Sequence, residues 1–493
     1  MNIKRNEVSV EVPNRQGASL LDLIRSSGLP FAAPCAGKGI CGKCKVLVQG
    51  EEDTWTAQAC KTPAESIVSV ELEGSAATLD LKLLHELVPE NHYGIAIDLG
   101  TSTLEAELVN LDTGVTIATA ASMNPQAIYG SDVISRIEAA QAGHLLQLQK
   151  LALDALFDMV SQLCAQACLP ISSLKDITLA GNTVMQHLAC GLQPATIGSY
   201  PYQPISRFGV YHRPWQNMPP VWLAPCISGY VGGDVVAGML SNQKHPSLLI
   251  DLGTNGEIAL QTHKGSWAAA TAAGPVFEGM NISSGMVALP GAVKSAWYNE
   301  ETDILDLEVV GGGEAQGICG SGLVDIVALM LSHGLVDESG KLLRASESTS
   351  PLASRVVLHK GEPAFKLLTH ADVVLTQGDI RNLQLAKAAI AAGVEAVLEA
   401  AGLTPQDLSS VALAGSLGLH INPRHAAILG LIPPALLGIT TSIGNSSLAG
   451  ARLALLDPQA REHMQMLAQQ TQYIELSTNE LFTARYLENM GFA

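Results

Sequence analysis

The pentapeptide IDLGT occurs twice, at residues 97–101 and 250–254, a spacing of 250 − 97 = 153 residues. Each copy closes an apolar run, in NHYGIAIDLGTSTLEAELVN and in SLLIDLGTNGEIAL. In the first, Ile95, Ile97 and Leu99 alternate with smaller residues and Gly100 supplies a turn, which is the pattern of a β-hairpin. One copy alone would be a simple hairpin. Two copies, each behind an apolar strand, predict a duplicated α/β fold with one copy in each of two lobes.

The repeat suits nucleotide hydrolysis. An aspartate at the end of a buried strand can hold Mg²⁺ through water or orient an attacking water. A glycine turn brings backbone N–H groups to phosphate oxygens, and nearby hydroxyls add donors. Asp98 and Asp251 are therefore candidate catalytic residues. Gly100, Thr101 and Ser102, with Gly253, Thr254 and Asn255, are candidate phosphate ligands. The bland alternative for each aspartate is a hairpin-turn carboxylate. Asp234, in GYVGGDVVAGM, falls at an expected helix start before the second copy, where a catalytic acid and a helix cap are both reasonable.

The N-terminal stretch CAGKGICGKC, residues 35–44, is one residue short of a Walker A loop, with Cys44 where Ser or Thr is needed. Its setting is also wrong for phosphate. Leu20, Leu21 and Ile24 predict a helix before it, and KVLVQ predicts a strand after it. Read as C-x5-C-x2-C, Cys35, Cys41 and Cys44 have metal-ligand spacing, and Cys60 offers a fourth thiolate. This set suits a [2Fe–2S] cluster, with the local glycines letting backbone N–H groups approach the sulfurs. Zinc is the competing reading, but zinc sites favour paired C-x2-C units and only one is present. Fifteen residues separate Cys44 from Cys60, a short loop that would leave a cluster exposed.

The remaining five of nine cysteines are scattered, which fits a reducing compartment better than a disulfide framework. A net charge of −18 would repel a phosphate backbone, so nucleic acid is not an expected partner. With 47% hydrophobic and 15% charged residues, the chain can bury large cores. No signal peptide opens it, and its most apolar stretch is broken by Pro433 and Pro434, so no membrane association is expected. Cytoplasmic residence is the default.

Further along, an apolar strand at Val411 to Leu413 runs into Gly415, Ser416 and Gly418 of LAGSLGLHINP. This resembles the adenosine motif of the superfamily of actin, sugar kinases and heat-shock chaperones, and the order of motifs matches as well. In the chaperone branch a helix gives ribose and adenine contacts at three-residue spacing. The resemblance implies those roles for Gln384 and Lys387 in QGDIRNLQLAKAAIAAG. Whole motifs extend it: NPQAIYGSDVISRI (124–137), AGNTVMQHL (180–188), AGPVFEGMNISSGM (273–286) and GICGSGLVD (317–325). Together they resemble the ferredoxin-fused ATPases that reductively activate corrinoid proteins. The absence of cysteine after Cys319 excludes the variant with further clusters near the C-terminus.

The resemblance implies a β-grasp ferredoxin domain over residues 1–75, a linker over 76–90, and a two-lobed actin-like ATPase (ribonuclease H-like) with lobes at 91–245 and 246–493. It implies ATP, Mg²⁺ and a [2Fe–2S] cluster as cofactors. Its implied partners are a corrinoid protein of a methyltransferase system and an upstream electron donor, with homodimerisation allowed. Three rivals stand beside it: an activator of 2-hydroxyacyl-CoA dehydratases, a small-molecule kinase, and a nucleotide-gated redox scaffold. Other residues take bland readings. Cys164 and Cys168 are expected to pack in a helix core, Cys319 and His187 to be buried, and Asp132 and Arg136 to pair at i, i+4 on a helix.

Overall fold

Alternating apolar residues and glycine turns become strands and hairpins throughout. The computed structural model describes residues 2–5, 8–13, 19–27, 45–50, 54–64, 67–71, 92–241, 244–368, 372–415 and 421–492. The chain divides into two compact units, Met1–Asn91 and His92–Ala493.

The first unit is a β-grasp. Its strands β1 (Asn2–Arg5), β2 (Val8–Glu11), β3 (Lys45–Gln49), β4 (Thr54–Gln58) and β5 (Ser69–Glu71) form one sheet in the order β2-β1-β5-β3-β4. Helix α1 (Leu20–Ser26) buries Leu20, Leu21, Leu23 and Ile24 with Ile3, Val46, Val48 and Val70. Its first turn is tied down by Leu20 N–H to the Thr62 carbonyl (2.8 Å) and Leu21 N–H to the Ala59 carbonyl (2.9 Å). The expected helix before the cysteine loop and strand after it are thus both present. The loop with Cys35, Cys41 and Cys44, and the expected linker, lie outside the described residues.

In the second unit the sequence repeat becomes a repeat of topology. The first sheet holds β6 (Tyr93–Leu99), β7 (Thr103–Asn110), β8 (Thr116–Met123), β9 (Leu174–Gly181), β10 (Val210–His212) and β11 (Val221–Leu223). The second holds β12 (Ser247–Leu252), β13 (Gly256–Thr262), β14 (Gly265–Thr271), β21 (Ser410–Ala414), β22 (Thr440–Gly444) and β23 (Gln472–Tyr473). Between these in sequence, β15 (Ala292–Asn299), β16 (Ile304–Val309) and β17 (Gly317–Ile318) form one small sheet, and β18 (Val356–His359), β19 (Glu362–Lys366) and β20 (Val374–Thr376) another. The run β11-β9-β6-β7-β8 matches β22-β21-β12-β13-β14 strand for strand. In both, the strand that carries IDLGT pairs antiparallel with the next strand and parallel with a distant one.

Helices fill the faces: α2 (Val133–Ala139), α3 (Leu145–Gln166), α4 (Thr183–Ala189), α5 (Gly233–Ser241), α6 (Gly320–Ser332), α7 (Gln377–Ala400), α8 (Pro423–Ile428), α9 (Ser446–Leu456), α10 (Pro458–Gln470) and α11 (Glu480–Glu488). One core gathers Ala96 and Ala180 of the first sheet, Leu249 and Ala412 of the second, and Val236, Ala451 and Met464 of α5, α9 and α10. The helices α5 and α9 follow β11 and β22 and cross at Ala-Gly steps. A Cβ at Gly450 would lie 2.1 Å from the Ala237 carbonyl oxygen, so the crossing depends on its absence.

Candidate functional site

The IDLGT aspartates end equivalent central strands. Asp98 stands opposite Glu105 on β7, and Asp251 stands opposite Glu257 on β13. Directly opposed residues share a face of the sheet, so each repeat presents a pair of carboxylates. The parallel neighbours match as well. β9 ends in Leu-Ala-Gly at Gly181, and β21 runs through Leu413 and Ala414 straight into Gly415. A Cβ at either glycine would come 2.7 Å from the carbonyl oxygen of the leucine after the aspartate, Leu99 or Leu252. The shared LAG tripeptide was a readable sign of this deeper repeat.

Residues from the far end of the chain hold Asp98. Asn445 Nδ2 donates to its Oδ2 (2.8 Å) and Ser447 Oγ to its Oδ1 (2.7 Å). Both stand at the start of α9, in a GNSS segment that sequence reading passed over. Asp234 lies in the first turn of α5, where its Oδ1 accepts from Val235 N–H (2.8 Å), and its charge also acts on Asp98 and Asp251.

These acids strain against one another. Burial pushes Asp98 up to about 7, with Glu105 and Asp234 adding to it and the Ser447 and Asn445 bonds opposing. Burial, then Asp234 and Asp98, push Asp251 up to about 8. Burial raises Asp234 to about 6. Glu257 is held well above the ordinary carboxylate range by burial and by Asp234 and Asp251. Among the described residues none of the four pairs with a lysine or arginine. Such a group is suited to a cation that the chain itself does not supply.

The turn hydroxyls converge on a residue that sequence reading missed. Glu278 accepts from Ser102 Oγ with one carboxylate oxygen and from Thr254 Oγ1 (2.9 Å) with the other. The first hydroxyl belongs to the first repeat and the second to its copy. Thr101, Ser102 and Thr254 are all buried. Asn124 braces the first turn, with its N–H on the Ser102 carbonyl (2.8 Å) and its Nδ2 on the Gly100 carbonyl (2.9 Å). Gly253 and Asn255 frame the second turn through Gly253 N–H to the Asn255 carbonyl (3.1 Å).

The other candidates divide. Gly415 lies beside Asp251, whereas Ser416 and Gly418 fall outside the described residues. Gln384 and Lys387 share one face of α7 and are both 2% exposed. Their polar ends meet the C-terminal residues: Gln384 Nε2 donates to the Met490 carbonyl (2.9 Å), and Lys387 Nζ to that of Gly491. Burial lowers Lys387 to about 8. Cys60 sits partly buried in the turn after β4, against the core of the first unit.

Two bland expectations need correction. Asp132 and Arg136 do not pair. Asp132 caps α2 through Ser135 N–H (2.9 Å), because the open first-turn amides lie nearer than the next helical turn. Arg136 turns inward to the Gly130 carbonyl (2.9 Å) and Gln126. Cys164 is buried in α3, but Cys168 lies past the helix end, exposed and at φ 55°. His187 is buried and satisfied, its Nδ1 bonded to the Thr183 carbonyl (2.7 Å) and its Nε2 accepting from Ser206 N–H (3.2 Å). Cys319 is fully buried as expected.

A family described as the C-terminal domain of RACo, the ASKHA domain, matches residues 245–493. The chain belongs to this RACo family. The RACo middle region matches residues 93–247, and a 2Fe-2S iron-sulfur cluster binding domain matches residues 3–65. The architecture is therefore an N-terminal [2Fe–2S] ferredoxin domain followed by an actin-like ASKHA fold. A corrinoid activation enzyme, RamQ, from Eubacterium limosum is 28% identical across 98% of this chain and 97% of its own length. A Methanosarcina barkeri reductase of the Co(II) methylated amine-specific corrinoid protein is 26% identical across 81% of this chain and 77% of its own. Among solved structures, a reductive activator for corrinoid, iron-sulfur protein superposes with a TM-score of 0.75 at 26% identity. It covers 100% of this chain and 98% of that one. Among the described residues no helix is long and apolar enough to cross a membrane.

Proposed function

We propose that this member of the RACo family is an ATP-dependent reductive activator, returning a Co(II) corrinoid protein of a methyltransferase system to Co(I). The observation that carries the reading is the convergence of both IDLGT turns, through Ser102 and Thr254, on one half-buried carboxylate, Glu278, beside four cation-less carboxylates. That donor set fits a magnesium nucleotide. Asp98 and Asp251 would face the metal through water, since among the described residues no three metal-binding side chains lie close enough to ligate an ion directly. Asn445 and Ser447 hold Asp98 in place, and Asp234 would accept a proton from an attacking water. Bound Mg²⁺ would neutralise phosphate charge during transfer.

Cys35, Cys41, Cys44 and Cys60 would hold a [2Fe–2S] cluster, which supplies one-electron transfer from an upstream donor. For a one-electron step, about each 59 mV of uphill gap costs a factor of ten in the equilibrium, or about 1.4 kcal/mol. Nucleotide binding and hydrolysis would favour a partner complex in which cobalt is easier to reduce. Domain limits of 1–75, 76–90, 91–245 and 246–493 and a homodimeric state belong to the same proposal. The fused cluster domain speaks against the dehydratase-activator reading.

The test is anaerobic cobalt reduction followed by visible absorbance, with reductant and ATP, with a non-hydrolysable analogue, and with neither. Reduction that requires ATP and is lost in Cys60→Ser along with bound iron supports the proposal. Equal rates in all three conditions would refute coupling. One zinc and no iron in the purified chain would refute the cluster.

A further inference from the structure

Glu278 is not among the expected ligands of either turn, yet it occupies the point where the two turns meet. It closes a short 3-10 turn, Pro275–Glu278, in the motif AGPVFEGMNISSGM. Its two carboxylate oxygens each receive one hydroxyl, Ser102 Oγ from the first repeat and Thr254 Oγ1 from the second. A phosphoryl group offers the same thing: an anionic centre whose oxygens accept donors from both sides. Ser102 is 6% and Thr254 8% exposed, so neither has ready access to water as an alternative acceptor.

A second observation marks the place as an anion seat. Arg136, expected to pair with Asp132, is 0% exposed, and its Nη2 has no hydrogen-bond partner. A buried guanidinium N–H without an acceptor is costly. Arg136 makes no ion pair in its own motif, because Asp132 is used as a helix cap. Its electrostatic attraction extends to Asp132 and to Glu278. The same segment braces the first turn, since Gln126 bonds both Arg136 and Asn124, and Asn124 bonds Gly100. A buried cation thus stands behind the first turn, and the anion shared by the two turns is a side chain of the protein itself.

We propose that Glu278 sits in the seat of the terminal phosphate of a nucleoside triphosphate and is its intramolecular competitor. This rests on the proposed nucleotide function and adds a residue to it. The terminal phosphate is the group at issue because the seat is shared by both turns. An incoming phosphoryl group takes the Ser102 and Thr254 hydroxyls, and Glu278 gives them up. A nucleoside diphosphate, one phosphate shorter, leaves Glu278 in place. Glu278 therefore makes the two lobes report on the third phosphate, and it is a positioning residue rather than a catalytic one.

The test is calorimetric binding of a non-hydrolysable ATP analogue and of ADP, each with magnesium, to the full chain carrying Glu278→Ala or the isosteric Glu278→Gln. If the Glu278-seated form makes up about nine-tenths of the empty protein, removing it tightens analogue binding by about tenfold. The expected result is that tightening with ADP affinity unchanged within about twofold, both variants keeping the wild-type fold by circular dichroism. Weaker or unchanged analogue binding, or equal tightening of ADP, would overturn the inference while leaving the ATPase reading intact. A wild-type chain that binds neither nucleotide would remove the ATPase reading, and this inference with it.

Discussion

Replacing Asp251 with asparagine should stabilise the nucleotide-free protein while abolishing its ATP turnover. The carboxyl is pushed from 3.8 to about 8 by burial and by Asp234 and Asp98. A raised pKa means that the folded state holds a proton where the unfolded chain has lost it. Stability therefore falls as pH rises from about 4 toward 8. Ionising a single such group at pH 8 costs up to about 6 kcal/mol, at about 1.4 kcal/mol for each tenfold change in proton affinity. Asp98 and Asp234 take up protons in the same range and relieve part of the repulsion, so we assign about 2 kcal/mol to Asp251 alone. In a unit of this size that is a melting-temperature rise of roughly 3 °C at pH 8, shrinking to less than half at pH 5.5. The assay is thermal melting without nucleotide from pH 5.5 to 8.5, repeated with magnesium and an ATP analogue, which should stabilise wild type and leave Asp251→Asn unchanged. A variant less stable than wild type at pH 8, or a gain independent of pH, would refute the reasoning. Either result would mean that Asp251 is satisfied without an added cation.

Two further outcomes are expected. Gly450→Ala puts a methyl group 2.1 Å from the Ala237 carbonyl oxygen and so forces α5 and α9 apart; melting should show a loss of about 1–3 kcal/mol, and ATP turnover should collapse because these helices carry Asp234 and Ser447. Turnover like wild type would show that the crossing does not position the site. Deleting residues 489–493 frees Gln384 and Lys387 from the Met490 and Gly491 carbonyls, and calorimetry should then find nucleotide bound more tightly. Unchanged affinity would remove both residues from the adenosine site.

The parts of this fold legible in sequence are those encoded by short-range pattern. Alternation around Ile95 and Ile97 marks β6, and the repeat of IDLGT marks its copy in β12. The parts that were not legible depend on contacts made across the chain. Glu278 meets Ser102 across 176 residues, and although it lies in the quoted motif AGPVFEGMNISSGM, nothing in that motif says which side chains it meets. Asn445 and Ser447 look like an ordinary helix start, and only the fold turns them toward Asp98. Asp132 shows the opposite failure: a pairing rule pointed it at Arg136, but the unsatisfied amides of its own helix end were closer. Gln384 and Lys387 have the spacing of one helical face, yet spacing does not say what that face meets.

The grip of α9 on Asp98 bears on how the protein is made. Asp98 waits 347 residues for Asn445 and 349 for Ser447. During synthesis the first IDLGT turn leaves the ribosome early, but its aspartate is not fastened until nearly the whole chain has followed. A nascent or prematurely ended polypeptide therefore carries the signature motif without a finished site. Under the proposed function, such a fragment would not hydrolyse ATP uncoupled from its partner during the interval before the last helices dock.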